Sequence, residues 1–295
     1  MIREICAKTI VSRVQGIDTY FGLDYGMNLY RGCQHHCIYC DSRSLCYGID
    51  DFDGEVLIKT NAIDLLRDEL SRKRRKGIIG TGSMHDAYMP LEEKVGLTKR
   101  ALEVIAEFGF GVHVVTKSDL VLRDIPILKK ISRYHTAAVS LTITTIDDEL
   151  SKKIEPGAPP TSARFRTLRR LAEAGIETRI ALMPILPFIE DTEENVVAIV
   201  EEAQRCGVKT IVPWFGMSLR DRQRAHFYER LDELFPGLKD RYIETYGQAY
   251  NCPSPNADAL YQRFHKLCEK YRIATSVKPA LAPNPEQPGL FDEES

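Results

Sequence analysis

The sequence predicts an α/β protein: a parallel sheet with helices packed on it. Two observations carry this. Between residues 25 and 214, short apolar runs ending in small or turn residues alternate with stretches whose apolar residues recur at helical spacing. The short runs are mostly continuous rather than alternating, as in strands covered by helical crossovers. Six such strands fall short of a closed eight-fold barrel. The pattern alone therefore allows either a partial barrel or an open doubly wound sheet.

Residues 1–24 read as a lead-in, with a short β-prone run in CAKTIVSRV and with Gly16 and Gly22 as punctuation. YGMNLYRG at 25–32 reads as the first strand, entering a cysteine-rich loop that runs to about residue 53. Gly32 lets the backbone turn tightly before the first cysteine. From Thr60 the period becomes helical, with Ala62, Leu65, Leu66 and Leu70 on one stripe and Thr60 or Asn61 as cap. KGIIGTGS at 76–83 is the second strand. A helix carrying Ala101, Leu102, Ile105 and Phe108 leads to the third strand, VHVVTK at 112–117. Pro126 fits only the first turn of the next helix. AAVSLTITT at 137–145 is the fourth strand, followed by a helix capped by Thr161 and stopped by Gly175. IETRIALMP is the fifth strand, Thr192 begins another helix, and VKTIVPW at 208–214 is the sixth strand.

After that strand the chain becomes charged and aromatic. Phe227, Leu231 and Leu234, then Leu260, Phe264 and Leu267, mark two helices. Residues 216–278 are expected to form an extension packed across the side or bottom of a core at 25–215. Residues 279–295, rich in Pro and Glu, read as a disordered tail.

With 295 residues, 43% of them hydrophobic, the chain can bury one sizeable core. A formal net charge of −2 gives no global field to gather nucleic acid. RKRRK at 72–76 is the local candidate for a polyanion contact, against a plainer reading as the solvated end of a helix. The N-terminus has charges within any apolar run, so neither a secretory signal nor a membrane span is expected there. Eight cysteines in so long a chain do not make a disulfide scaffold. Their concentration at 33–46 points to a metal site in a reducing compartment, and a cytoplasmic location is expected.

Cys33, Cys37 and Cys40 follow a C-x3-C-x2-C spacing. Sulfur ligands so close in sequence can converge on zinc, copper(I) or an iron–sulfur cluster. A four-iron cubane would keep one iron without a protein thiolate. Zinc would need a fourth ligand, from His35, His36, Asp41 or Cys46, and would make a non-enzymatic zinc-knuckle binding protein on a β/α scaffold.

The cysteine spacing, with Tyr39 before the last cysteine, resembles that of the radical S-adenosylmethionine (SAM) enzymes. GTGSMHDAYMPLE at 80–92, LTKR at 97–100, TKSDLVLRD at 116–124, IEPGAPPTSAR at 154–164 and LMPILPFIED at 182–191 extend the resemblance to the spore photoproduct lyase-like branch. It implies a partial (β/α)6 TIM-type barrel with a C-terminal helical extension, open on one side to a bulky substrate. It also implies a [4Fe-4S] cluster on Cys33, Cys37 and Cys40 whose open iron is chelated by SAM. Electron transfer then yields a 5′-deoxyadenosyl radical that abstracts hydrogen. An external one-electron reductant such as flavodoxin or ferredoxin, and a nucleic-acid, peptide or small-molecule substrate, are the partners implied.

The same resemblance assigns roles. Tyr39 would pack on adenine, or anchor its loop. The backbone of Gly80, Thr81, Gly82 and Ser83 would meet the SAM amino group, although the acidic member of the usual GGE-type segment is missing. Lys117 and Ser140 would hold the carboxylate and ribose. Glu155 and Arg164 would brace the SAM edge or the barrel rim, or form a buried ion pair. Asp86 and Tyr88 would line the pocket or hold its loop, and Arg123 with Asp124 would pin loop to helix. Spore photoproduct lyases use a cysteine hydrogen-atom donor shortly after the second strand, and none stands in GTGSMHDAYMP. Tyr88, or a thiol such as Cys252, is the candidate replacement. Trp214 and Phe215 are candidate pocket aromatics, and Cys252, Cys268 and Cys6 a candidate auxiliary metal site.

Overall fold

A computed structural model describes residues 1–49 and 51–277, so the expected tail at 279–295 lies outside the described residues. The lead-in contributes two strands, β1 (Ile2–Ile5) and β2 (Val11–Arg13). The expected first strand is split into β3 (Tyr25–Met27) and β4 (Tyr30–Arg31). Then come β5 (Val56–Lys59), α1 (Ala62–Ser71), β6 (Ile78–Thr81), α2 (Pro90–Val95), α3 (Leu97–Glu107) and β7 (Gly111–Thr116). The core continues through α4 (Ile125–Ser132), β8 (Ala137–Thr142), α5 (Asp148–Ile154), α6 (Thr161–Glu173), β9 (Glu177–Leu182), α7 (Glu193–Arg205) and β10 (Thr210–Pro213). The last elements are β11 (Gly216–Ser218), α8 (Asp221–Leu234), α9 (Leu238–Tyr246), β12 (Asn251–Pro253) and α10 (Ala257–Tyr271).

The main sheet has the order β10-β9-β8-β7-β6-β3-β2. Its six strands from β3 to β10 are parallel and lie in chain order, which is a partial (β/α)6 barrel. β2 adds an antiparallel edge next to β3. β1, β5 and β4 form a separate three-stranded sheet.

One face of the main sheet is aliphatic. Val112, Val114, Val139, Leu141, Ile180 and Ile211 are fully buried in one cluster with Leu102 and Ile105 of α3, Leu128 of α4, Leu168 of α6 and Ile199 of α7. Each such side chain stabilises the fold by about 1.5–3 kcal/mol relative to exposure. The intervening residues point to the other face, as the pleat requires. There the segment before β3 fills the end of the barrel nearest the strand starts. Phe21 stacks on His113 at 4.9 Å, and Arg179 Nη1 donates to Phe21 O at 3.1 Å.

Several local expectations change. Asn61 stands at the cap position of α1, but its side chain instead bonds Ala7 N and Ala7 O, each at 2.9 Å, tying down the lead-in. Thr161 Oγ1 donates to Thr145 O rather than capping α6. Thr192 does cap α7, accepting from Asn195 N at 3.2 Å. The basic stretch at 72–76 lies between α1 and the start of β6, at the end of the barrel remote from the cysteine loop; Arg72 pairs with Asp68, while Lys73 and Lys76 sit over the rings of Tyr25 and Phe110.

The C-terminal part does not cross the bottom. α10 packs along α7 at the side of the barrel. α8, α9 and the antiparallel β11–β12 pair join Cys37, Ile38 and Tyr39 in one apolar cluster, so they cover the cysteine loop. Among the described residues, no helix is long and apolar enough to cross a membrane.

Candidate functional site

The cysteine loop leaves the sheet just beyond β3 and β4, at the C-terminal end of the parallel strands. Its path depends on Gly32 (φ +82°), where a Cβ would stand 2.4 Å from Glu55 O. The thiols of Cys33, Cys37 and Cys40 line one cavity of about 100 Å³, with His85, Asp86, Lys117 and Thr142 on its other walls. Burial pushes all three thiols up, Cys33 to about 12. Thiolates here therefore need positive charge beside them, and the Lys117 ammonium already opposes the shift at Cys37 and Cys40.

The loop is braced from behind by the turn after α5. Ile38 N donates to Ile154 O and Gly157 N to His35 O, each at 2.9 Å. A Cβ at Gly157 would meet Gln34 O at 2.1 Å, so only glycine permits this approach. Glu155, in that turn, is the hub of a buried charge network. The Tyr39 hydroxyl donates to its Oε1, Arg164 Nη1 lies 2.5 Å from Oε2, and Lys117 Nζ lies 3.7 Å from Oε1. Burial alone would raise the Glu155 carboxyl, but Arg164 and Lys117 outweigh it and hold it below its ordinary value. Arg164 is fixed further by donating to Pro159 O at 2.8 Å and Thr142 O at 3.0 Å. The geometry is that of a buried ion pair which also orients Tyr39 and Lys117.

Asp86 organises the opposite wall. It accepts from Thr116 Oγ1 at 2.6 Å, Lys117 N at 2.7 Å and Tyr88 N at 2.8 Å, and His35 Nδ1 lies 3.2 Å away. Burial opposes its charge, but His35 and these donors win and hold the carboxyl well below the usual carboxylate range.

Other sequence candidates are placed differently. Gly82 (φ +90°) and Ser83 line the cavity, and a Cβ on Gly82 would meet Val115 O at 2.3 Å. Gly80 lies deeper, where a Cβ would be 2.3 Å from Leu23 Cδ1, so its missing side chain makes room for packing. The Thr81 side chain is buried, and it is not in the cavity wall. Ser140 lies two residues below Thr142 and bonds His113 Nε2 at 2.7 Å; Thr142, not Ser140, reaches the cavity. Tyr88 also stays out of the wall, its hydroxyl donating to Asp124 Oδ2 at 3.0 Å. Arg123 bonds that same Asp124 through Nε and Nη2, as expected of a pin, and also reaches Glu92.

Cys252 is buried in the cluster behind the cysteine loop, its thiol 3.5 Å from Ala249 O. Cys268 belongs to the main core and Cys6 is exposed, so these three cysteines do not meet. Phe215 is core, against Tyr261 and Phe264. Of the four possible fourth zinc ligands, His35 lines the thiol cavity with its Nδ1 3.2 Å from Asp86 Oδ2, His36 faces Asp53, Asp41 pairs with Arg220, and Cys46 is exposed. Among the described residues, no three His, Cys, Asp or Glu side chains are already gathered about a single ion-sized point.

Three residues that sequence reasoning missed belong to this region. His85 is buried in the cavity wall, and burial, with Lys59 nearby, takes its imidazole down to about 4 against the opposing charge of Asp86. Glu190, in the loop after β9, is buried with Oε2 accepting from Leu186 N at 3.0 Å; burial raises its carboxyl to about 8. Gln223 of α8 donates to Tyr39 O at 3.1 Å and Ser218 O at 3.0 Å, tying the cysteine loop to the C-terminal extension. HDAYMP and IED give no one-dimensional sign of this burial.

The site is a thiol-lined cavity at the C-terminal end of a partial barrel, and comparison with known proteins identifies its class. The chain belongs to the radical SAM superfamily, whose profile matches residues 27–203. It is 30% identical over 262 residues to the uncharacterized protein Rv2578c of Mycobacterium tuberculosis, covering 87% of this chain and 77% of that protein. It is 25% identical over 185 residues to a radical SAM Nalpha-GlyT isomerase of Pseudomonas phage M6, covering 62% of this chain and 37% of the isomerase. In structure it is similar to a spore photoproduct lyase variant with bound AdoMet and dinucleoside spore photoproduct, with TM-score 0.71 and 14% identity over 93% of this chain and 81% of that one. It is also similar to the radical SAM methyltransferase TsrM of Kitasatospora setae with tryptophan and a SAM analogue, with TM-score 0.57 and 12% identity over 87% and 54% of the two chains.

The protein is thus a radical SAM enzyme, and its family implies use of SAM and a [4Fe-4S] cluster. The residues present suit both. Three thiols share one cavity, and a lysine beside it offers charge to a carboxylate.

Proposed function

We propose that Cys33, Cys37 and Cys40 hold a [4Fe-4S] cluster whose fourth iron takes SAM, and that the enzyme abstracts hydrogen from a substrate admitted at the open side of the barrel. The observation that carries this is one cavity lined by all three thiols together with Lys117, at the strand ends where barrels place their chemistry. Bound there, cluster and cofactor supply reductive cleavage of the SAM sulfonium and a 5′-deoxyadenosyl radical.

The chain's own residues bind, orient and seal. Lys117 is the partner for the SAM carboxylate, held in place by Glu155 and by its backbone bond to Asp86. Gly82 and Ser83 bring bare backbone to the cavity wall. Glu155, itself paired with Arg164, fixes Tyr39 within the cluster loop. α8, α9 and the β11–β12 pair shield that loop from water, which a primary radical requires. Electrons come from an external one-electron donor of the flavodoxin or ferredoxin type. The similar structures hold a dinucleoside photoproduct and tryptophan, so nucleic-acid and amino-acid-like small-molecule substrates are the two classes to try first.

Turnover of SAM tests this. Anaerobically reconstituted, reduced protein should convert SAM to 5′-deoxyadenosine and methionine, and Cys37→Ala should abolish the conversion. Deuterium passing from one candidate substrate into 5′-deoxyadenosine identifies the substrate. Absence of 5′-deoxyadenosine from protein carrying a full cluster would reject the proposal.

A further inference from the structure

His85 carries an unfilled hydrogen-bonding capacity that the folded chain does not use. Its ring is 4% exposed, it lines the cavity of the three thiols, and among the described residues neither Nδ1 nor Nε2 has a hydrogen-bond partner. The ring is held edge-on against Tyr30, with centroids 5.4 Å apart. Burying polar nitrogens without partners is unfavourable, so a side chain kept in this state marks a contact made by something else.

The neighbouring groups do not meet that need and are themselves engaged. Asp86 is occupied by Thr116, Lys117 N, Tyr88 N and His35. Lys59 Nζ donates to Asn28 O at 2.5 Å. Glu155 is taken by Tyr39, Arg164 and Lys117. The cavity therefore offers a cation to a ligand's carboxylate, while both of its nearby carboxylates are spent. The segment from Gly80 to His85 contains no acid that could receive an ammonium group. A neutral imidazole has one bare nitrogen that can accept and one N–H that can donate.

We propose that His85 recognises the amino-acid head of SAM, its bare ring nitrogen accepting a hydrogen bond from the α-ammonium group. The inference rests on the reading that this cavity takes SAM. His85 is then a binding residue on the same wall as Gly82 and Ser83, and it does for the ammonium what Lys117 does for the carboxylate.

The test uses the reconstituted full chain, with His85→Phe and His85→Gln, and needs no turnover. Iron content should match the parent in both variants. SAM affinity, read from the change SAM induces in the electron paramagnetic resonance of the reduced cluster, should fall at least about ten-fold in His85→Phe. His85→Gln keeps an acceptor and should recover part of that loss. A deaminated SAM analogue should bind parent and His85→Phe alike. Ligand-free His85→Phe should melt no lower than the parent, because nothing polar is left orphaned, while SAM should raise its melting temperature less. Unchanged SAM affinity in His85→Phe would overturn the role of His85 alone. A parent that holds a cluster yet binds no SAM would overturn the reading of the cavity as well.

Discussion

A carboxyl group buried without enough donors resists ionisation, and Glu190 is such a group. Among the described residues its Oε1 has no well-formed hydrogen bond; burial raises it to about 8, Thr144 and Leu186 N only partly oppose this, and the nearby Glu155 charge adds to it. In the unfolded chain a glutamate titrates at about 4.3. The folded state therefore holds a proton that the unfolded state loses. That contribution is fully present below about pH 4 and is lost as pH rises through about 8, so stability falls across this window. Glu190→Gln removes the dependence. In urea unfolding of the ligand-free protein, the variant should gain on the parent between pH 5 and pH 8 by a few kcal/mol, since each pKa unit is worth about 1.4 kcal/mol. An equal gap between the two proteins at both pH values would refute this.

Individual site residues were legible in the sequence where the resemblance named them, as for Lys117, Glu155 and Arg164, or where their spacing carried meaning. Cys33, Cys37 and Cys40 do so, because ligand spacing is a one-dimensional signal. Tyr88 and Cys252 looked reactive by type, yet the structure commits one to Asp124 and buries the other behind the loop. His85 and Glu190 are the reverse case: what distinguishes them is a partner they lack, and a missing partner has no sequence signature.

At the scale of elements, the cysteine loop is held from two directions. The turn after α5 supports it from the barrel side, through Ile154 and Gly157. The start of α8 grips it from the other: Arg220 pairs with Asp41, Asp221 accepts from Ser44 Oγ at 2.7 Å, and Gln223 holds Tyr39 O. The Arg220–Asp41 pair is partly exposed and contributes at most about 1 kcal/mol. Gln223 is fully buried, so removing its amide strands two carbonyls. Gln223→Leu should cost about 2–4 kcal/mol in urea unfolding and should lower the iron retained after desalting. Hydrogen exchange should quicken first in residues 33–47. Full iron retention with unchanged exchange would show that α8 does not position the loop.

The six parallel strands were readable because most are largely apolar runs bounded by turn residues, although β9 begins Glu-Thr-Arg and β3 is only Tyr-Gly-Met. Strand β4 was not, since two residues carry no periodicity, and the bend at Asn28 and Leu29 is set by pairing with β5. The antiparallel β11–β12 pair was missed for a related reason: its strands are three residues each and lie far apart in the chain.

On the scale of the whole molecule, the barrel has two unlike ends. One is filled by Phe21 and Leu23 and carries the basic stretch at 72–76. The other gathers the thiols, Lys117 and His85, and it is this end that the C-terminal extension covers. Charge along the sequence suggested a polyanion contact but not its location, and the fold puts it away from the cavity. The partial-barrel architecture followed from the resemblance, since strand count alone left an open doubly wound sheet equally available. The covering role of the extension needed the three-dimensional contacts.

The central claim concerns what those three thiols hold. The most direct measurement is the metal and sulfide content of protein reconstituted without oxygen, together with the paramagnetic resonance of its reduced form before and after SAM is added. The account predicts about four irons and four sulfides per chain, a signal that shifts on adding SAM, and loss of both in Cys37→Ala. One tightly bound zinc per chain, no sulfide, and no response to SAM would contradict it.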